Sequence, residues 1–155
     1  MEIAIAGYGE LRLTYLVMDY NGTLAVDGRL IDGVQPLLRE LSEKLVLHVL
    51  TADTFGIAEK GLAGVPCELS VLPATDQQER KLEFIKSLGA GETVAIGNGR
   101  NDRLMLRDAV LGIAVILEEG ACTETLMAAD VVCPSILSAL ELVLNPLRLT
   151  ATLRS

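Results

Sequence analysis

Residues Thr14 to Met18 form an almost uninterrupted apolar run that stops at Asp19, and this step from hydrophobic strand to carboxylate constrains the chain more than any other feature. Such a run suits a central parallel strand buried on both faces. The pattern recurs at Leu45 to Leu50, which ends at Thr51-Ala52-Asp53, and at Glu92 to Ile96, which ends at Gly97-Asn98-Gly99-Arg100-Asn101-Asp102. Helical periodicity fills the intervals. Gly33 to Lys44 carries Val34, Leu37, Leu38 and Leu41 on one face, a short helix is expected through Thr54 to Gly61, and a weak strand near Glu68 to Leu72. Asp76 to Leu88 carries Leu82, Phe84, Ile85 and Leu88 and is stopped by Gly89. A helix, a strand at Val110 to Ile116, a helix, a short strand at Asp130 to Cys133 and a helix from Ser135 to Leu144 complete the core. Strands alternating with helices in this way specify an α/β fold around a mainly parallel central sheet.

The 155 residues fit one domain, 1–155, with the core at about 14–145. Residues 2–13 read as an N-terminal hairpin, with Ile3, Ile5, Leu11 and Leu13 flanking Gly7-Tyr8-Gly9, and Asp27-Gly28 marks a second hairpin inside Leu24 to Ile31. In the C-terminal tail, 146–155, Leu147, Leu149, Ala151 and Leu153 alternate with Arg148, Thr150, Thr152 and Arg154, which predicts a strand added to the edge of the N-terminal hairpin of its own or a neighbouring subunit, a disordered terminus being the alternative. A net charge of −8, with Lys and Arg spread along the chain, argues against nucleic acid as a partner. The longest apolar run, Ala109 to Leu117 with Gly112 inside it, is far shorter than a spanning helix, and the N-terminus lacks a basic start and a long apolar stretch. No membrane association and a cytoplasmic location are therefore expected. Cys67, Cys122 and Cys133 have no Cys-x-x-Cys spacing and read as reduced, mostly buried thiols. Gly7-Tyr8-Gly9-Glu10-Leu11-Arg12 starts like a dinucleotide fingerprint, but Arg12 stands at the third glycine, so NAD binding is not expected. His48, inside an apolar strand, reads as a satisfied core histidine.

In an open parallel sheet ligands bind beyond the carboxyl ends of the strands, where three polar clusters fall in this chain. Asp19-Tyr20-Asn21-Gly22-Thr23 presents a carboxylate at a strand tip beside a glycine turn whose backbone N–H groups can hold a phosphate; the same residues also describe a plain hairpin turn. Thr51 can bind a phosphoryl group or cap the following helix, and Lys81 competes with Lys86 for the role of buried cation. Asn98 to Asp102 can be a metal loop or an ordinary turn.

Taken in order, these clusters resemble the motifs of the haloacid dehalogenase superfamily, particularly its P-type ATPase phosphorylation-domain branch. Asp19 matches the nucleophile of the first motif, Thr51 the phosphoryl-binding residue of the second, Lys81 the lysine of the third, and Gly97-Asn98-Gly99-Arg100-Asn101-Asp102 resembles the metal motif Gly-Asp-Gly-x-Asn-Asp. The resemblance spans about residues 14–133. It implies a Rossmann-like three-layer sandwich, Mg²⁺ held at Asp19, Asn21, Asn98 and Asp102, and phosphate held by Gly22, Thr51, Ala52 and Lys81, with Asp19, Asn21, Thr51 and Lys81 as the catalytic set. The intervals 19–51 and 51–81 are filled by core elements and leave no room for a cap domain.

Two positions depart from the pattern. Asn21 stands where the superfamily's phosphatases carry an acid/base Asp, and Asn98 where they carry a metal-binding Asp. An amide oxygen attracts a hard cation less than a carboxylate does, so weak Mg²⁺ binding is expected. The resemblance implies a phosphohydrolase or phosphotransferase acting on a phosphorylated small molecule or a phosphoprotein, with slow dephosphorylation and with an open site that a homo-oligomer could cover. The two amides equally suit a catalytically weak or inactive phosphate-binding regulatory module.

Overall fold

The computed structural model describes residues 1–52 and 56–155. Its centre is a six-stranded parallel sheet built from β3 (Tyr15–Asp19), β6 (Val46–Thr51), β7 (Glu68–Val71), β8 (Thr93–Gly97), β9 (Leu111–Val115) and β10 (Val131–Cys133), in the spatial order β10-β9-β8-β3-β6-β7. β3 lies between β6 and β8 because its apolar run has no polar face to offer solvent. Leu16 and Met18 pack into one hydrophobic layer and Val17 into the other. The chain moves outward from β3 through β6 to β7, then returns to the far side of β3 to start β8. The reversal opens a crevice at the carboxyl ends of β3 and β8, where the tips of Asp19 and Gly97 meet.

Helices cover both faces. On one, α3 (Gln77–Leu88), α4 (Arg103–Asp108) and α5 (Thr123–Ala128) pack with Ile85, Met105 and Leu106 over Val17, Leu50, Ala95 and Ala114. On the other, α1 (Val34–Ser42) buries Val34, Leu38 and Leu41 against α6 (Ile136–Leu144). The result is the predicted α/β arrangement without a cap domain. Between β3 and β6 the chain inserts only a two-stranded ribbon, β4 (Ala25–Val26) with β5 (Arg29–Leu30), and α1; between β6 and α3 it carries α2 (Ile57–Gly61) and β7. Asp53 and Thr54, named in the second cluster and in the helix start, lie outside the described residues. No single helix among those residues is long and apolar enough to cross a membrane.

The N-terminal hairpin forms as expected, β1 (Glu2–Ile5) pairing with β2 (Gly9–Arg12). The tail does not. Instead of a strand, Pro146–Leu153 is a helix, α7, which leaves α6 at a bend of 102° and packs on β1 with Leu149 fully buried. Pro146 takes the first helical position, where its missing N–H costs nothing, and of the alternating set Leu149 is fully buried while Leu153, one turn on, packs partly buried against the same core. The i to i+2 alternation was a coincidence of composition, since Leu147 is 85% exposed.

His48 also differs from expectation. It is buried between Tyr15 and Phe84, but neither ring nitrogen makes a hydrogen bond among the described residues; Nδ1 lies 3.4 Å from the exposed Glu68 carboxylate. Cys67, Cys122 and Cys133 are free thiols, Cys133 buried and the others half-buried.

Candidate active site

Asp19 ends β3 with its side chain almost enclosed, and the chain must turn at once to leave the sheet. The turn is built on one carbonyl: the N–H groups of Thr23, Leu24 and Ala25 donate to Tyr20 O at 3.2, 2.9 and 3.0 Å. Gly22 sits within it at φ +76°, a conformation that penalises any residue with a Cβ, and a Cβ there would lie 2.5 Å from Asn98 Nδ2. The first and fourth sequence clusters therefore touch across the crevice.

Thr23, fully buried, is the hinge of that contact. Its hydroxyl lies 3.4 Å from Asp19 Oδ2 and 3.3 Å from Asn98 Oδ1, so both oxygens face one point. From α3, Lys81 reaches in with no exposure at all and donates to Asp19 Oδ1 and to Asp102 Oδ1, each at 2.6 Å. Lys86, the competing candidate, lies on the surface 3.4 Å from Asp108. Asp102 is held in turn by the fourth cluster: Oδ2 accepts from the N–H groups of Asn98 and Gly99 at 3.0 and 2.9 Å, an arrangement for which Gly97 leaves space, since a Cβ there would lie 2.5 Å from Asp102 Cγ. Thr51 is buried at the tip of β6, and it does not cap α2, whose N-cap is Gly56. Ala52 and Asn21 are exposed at the rim.

The electrostatics follow from burial. The Asp19 pKa is raised to about 7, chiefly by removal from water and then by the Asp102 carboxylate, with Lys81 and the Tyr20 backbone opposing. Burial alone would lower the Lys81 pKa, but Asp102 and Asp19 together outweigh it, and the ammonium stays charged. Asp19, Lys81 and Asp102 carry a net charge of −1 when all three are ionised, which leaves the cluster one positive charge short of neutrality.

The oxygens available to a cation are few. Both Asp102 oxygens are already bonded, to Lys81 and to two N–H groups, and among the described residues no three acidic, His or Cys side chains converge. Asp19 Oδ2 and Asn98 Oδ1, joined only through long contacts to Thr23, remain turned toward the crevice. One carboxylate oxygen and one amide oxygen fit a cation such as Mg²⁺ that keeps most of its water.

Sequence reading did not single out Thr23 as a site residue, nor the segment that supports Asn98. Gly120 O accepts from Asn98 Nδ2 at 3.0 Å, Cys122 N donates to Asn98 O at 2.9 Å, and Thr125 Oγ1 donates to Gly99 O at 2.7 Å. The available signal was Glu118-Glu119-Gly120, a polar turn just past β9 and thus a further cluster at the same edge of the sheet.

No known family profile matches the chain. It is 52% identical over 61 residues to the uncharacterized protein MJ0073 of Methanocaldococcus jannaschii, a match covering 39% of this chain and 66% of that one, just under two thirds of the relative's length. Over 39 residues it is 41% identical to MJ0072 of the same organism, covering 25% of this chain and 89% of the relative. The chain belongs to the family of MJ0072. Beyond this MJ0072 family, the fold is similar to that of 3-deoxy-D-manno-octulosonate 8-phosphate phosphatase from Moraxella catarrhalis in complex with magnesium, phosphate and KDO (TM-score 0.68, 19% identity, 86% of this chain and 87% of that one). A cobalt-bound deoxy-D-mannose-octulosonate 8-phosphate phosphatase from Haemophilus influenzae (TM-score 0.72, 15% identity, 87% and 89%) and a putative HAD superfamily (subfamily III A) hydrolase from Legionella pneumophila (TM-score 0.68, 17% identity, 91% and 87%) share it. The MJ0072-family chain thus has the fold of the capless haloacid dehalogenase proteins, and the structural neighbours are phosphatases and hydrolases of that superfamily.

Proposed function

We propose that this protein is a Mg²⁺-dependent phosphohydrolase or phosphotransferase that forms an aspartyl phosphate at Asp19. The observation that carries the reading is the buried Lys81 ammonium, 2.6 Å from both Asp19 and Asp102, which offers a fixed positive charge where a phosphoryl group would meet the nucleophile. Asp19 attacks phosphorus, the bond to the leaving oxygen breaks as the Asp19 O–P bond forms, and Lys81 offsets charge on the transferring group. Thr51 and the backbone at Ala52 bind its remaining oxygens; the Gly22 N–H, expected from the sequence to do so, instead donates to Ala25 O at 2.8 Å, so Gly22 shapes the turn rather than holding phosphate. Asp19 and Asn98 would hold Mg²⁺ directly, with Asp102 and the Asn21 carbonyl behind them, and the ion would supply further neutralisation of phosphate charge. Water then attacks the phosphoenzyme, releasing phosphate and regenerating the Asp19 carboxylate.

Asn21 can donate a hydrogen bond to the leaving oxygen but cannot deliver a proton to it, so acyl phosphates and anhydrides suit the site better than alkyl esters. That feature supports a likeness to the P-type ATPase phosphorylation domain, where the equivalent residue is also not a carboxylate. The open crevice suits a phosphorylated small molecule or a phosphoprotein, and a second copy of the chain could cover it. A second reading, a phosphate-binding regulatory module without turnover, is favoured by Asn98, whose amide is bonded on both sides.

The test is intact mass after incubation with acetyl phosphate and Mg²⁺. The wild type should gain one phosphoryl group that hydroxylamine removes, and Asp19→Asn should gain none. Binding of phosphate without any phosphoenzyme would select the regulatory module instead.

A further inference from the structure

One stretch of this acidic chain is rich in basic residues. Residues 80–107 hold Arg80, Lys81, Lys86, Arg100, Arg103 and Arg107 against only Glu83, Glu92 and Asp102, in a chain whose net charge is −8. A recess of about 350 Å³ is lined by Arg100, Asn101 and Arg103 of that segment and by Gln77, Gln78 and Glu79 just before it. It adjoins the candidate active site through two covalent links. Gln77 precedes Lys81 by one turn of α3, and Arg100 and Arg103 flank Asp102, the two partners joined at the centre of the cluster.

We propose that this recess is a subsite for a second anionic group, a carboxylate or a phosphate, on the phosphorylated substrate. The inference rests on the function proposed above and narrows its substrate class to molecules with two anionic groups. Because Arg100 and Arg103 lie two residues and one residue from Asp102 in the chain, ligands with a short linker between the two anionic groups are the first to test.

The two arginines are not equivalent. Arg103 is anchored: it pairs with Glu124, is half-buried, and keeps an Nε–H that is buried with no hydrogen-bond partner among the described residues. A buried donor without an acceptor is costly, and an incoming oxygen relieves it. Arg100 is 74% exposed and only 3.7 Å from the same Glu124, so it is free to swing onto a ligand. One carboxylate cannot neutralise two guanidiniums, and the planar forks suit bidentate contact with an oxyanion. Glu79, the acidic residue among those lining the recess, is exposed and within 3.4 Å of Gln78 Nε2, and the two guanidiniums outnumber it.

Non-hydrolysable ligands test the subsite independently of turnover. Calorimetry on the full chain with Mg²⁺ should compare propylphosphonate, 3-phosphonopropionate and propane-1,3-bisphosphonate. The second anion should improve affinity about tenfold or more, with the two dianionic ligands distinguishing carboxylate from phosphate. In Arg100→Ala, a surface change, the advantage should shrink to about twofold or less, whereas Arg107→Ala, on the same basic face but outside the recess, should retain it. Equal wild-type affinity for all three ligands, or an equal loss in Arg107→Ala, would overturn the subsite, the latter by pointing to a diffuse field. Absence of phosphoenzyme together with an intact Arg100-dependent advantage would instead reject the proposed reaction and leave the subsite standing.

Discussion

The Asn98 amide nitrogen donates to the Gly120 carbonyl at 3.0 Å, and this bond fixes which way the Asn98 side chain faces. With Nδ2 committed to Gly120, Oδ1 must turn toward Thr23 and Asp19. A carboxylate at position 98 would set an oxygen against the carbonyl oxygen of Gly120 and a third negative charge beside Asp19 and Asp102. Asn98→Asp should therefore lower the stability of the metal-free protein by about 1–3 kcal/mol. The same charge should attract a cation, so added Mg²⁺ should raise the melting temperature of the variant by more than that of the wild type. Thermal melts with and without Mg²⁺ check both; an equal Mg²⁺ response in the two proteins would remove Asn98 from the metal site.

The raised pKa of Asp19 has a definite sign for stability. The folded value, about 7, lies above the unfolded value near 3.8, so the native state binds more protons in between and stability falls as pH rises from about 4 toward 7. Asp19→Asn removes the buried charge. In chelated buffer the variant should be more stable than wild type at pH 8.5, by something on the order of 1–4 kcal/mol, with the advantage fading toward pH 5. Urea titrations at the two pH values measure the difference, and an advantage that grows toward acid would contradict the burial argument.

Asn21 governs what happens after phosphoryl transfer. It is exposed at the rim, so replacement does not disturb the core. Asn21→Asp restores a group able to exchange a proton with leaving oxygen and water, and phosphoenzyme hydrolysis should rise by about 10²-fold or more. Single-turnover decay of the phosphorylated protein is the direct measurement. Since Asn21-Gly22 and Asn98-Gly99 are sequences prone to deamidation, intact mass should be recorded on each preparation.

His48 should make the fold acid-sensitive. Burial depresses its pKa, with Glu68 working against the depression, so the neutral ring is the form the fold favours. That contribution is present above the unfolded value near 6.5 and is lost as pH falls through the lower folded value. The ring is faced by Glu68 from β7, Tyr15 from β3 and Phe84 from α3, and neither nitrogen has a hydrogen-bond partner among the described residues. His48→Leu removes the orphaned polar atoms and should stabilise the protein by about 1 kcal/mol at pH 7, and by more at pH 5.5. Melting curves across that range would show whether the gap widens.

The sequence by itself determined the sheet and the positions along it where polar groups emerge. Strands buried on both faces, such as 16–19 and 93–97, read as apolar runs because neither face meets bulk water, and Asp19 and the Asn98 loop lie just where those runs end. It also placed the N-terminal hairpin and α3, whose signals are local. What is local is legible because neighbouring residues decide it. Tertiary structure decided the rest. Alternation in 147–153 fits a strand as well as it fits one face of a short helix, and only the packing of Leu149 on β1 selects α7. Motif order already singled out Lys81 over Lys86, but its setting came from the crossing of α3 over β3: on the isolated helix both are ordinary lysines, whereas in the fold one lies 2.6 Å from two carboxylates and the other at the surface. The orientation of Asn98 needed Gly120, 22 residues away in the chain, brought to it by β9 lying beside β8. Contacts of that separation depend on strand order, and strand order is fixed only when the hydrophobic faces of all the elements are buried together.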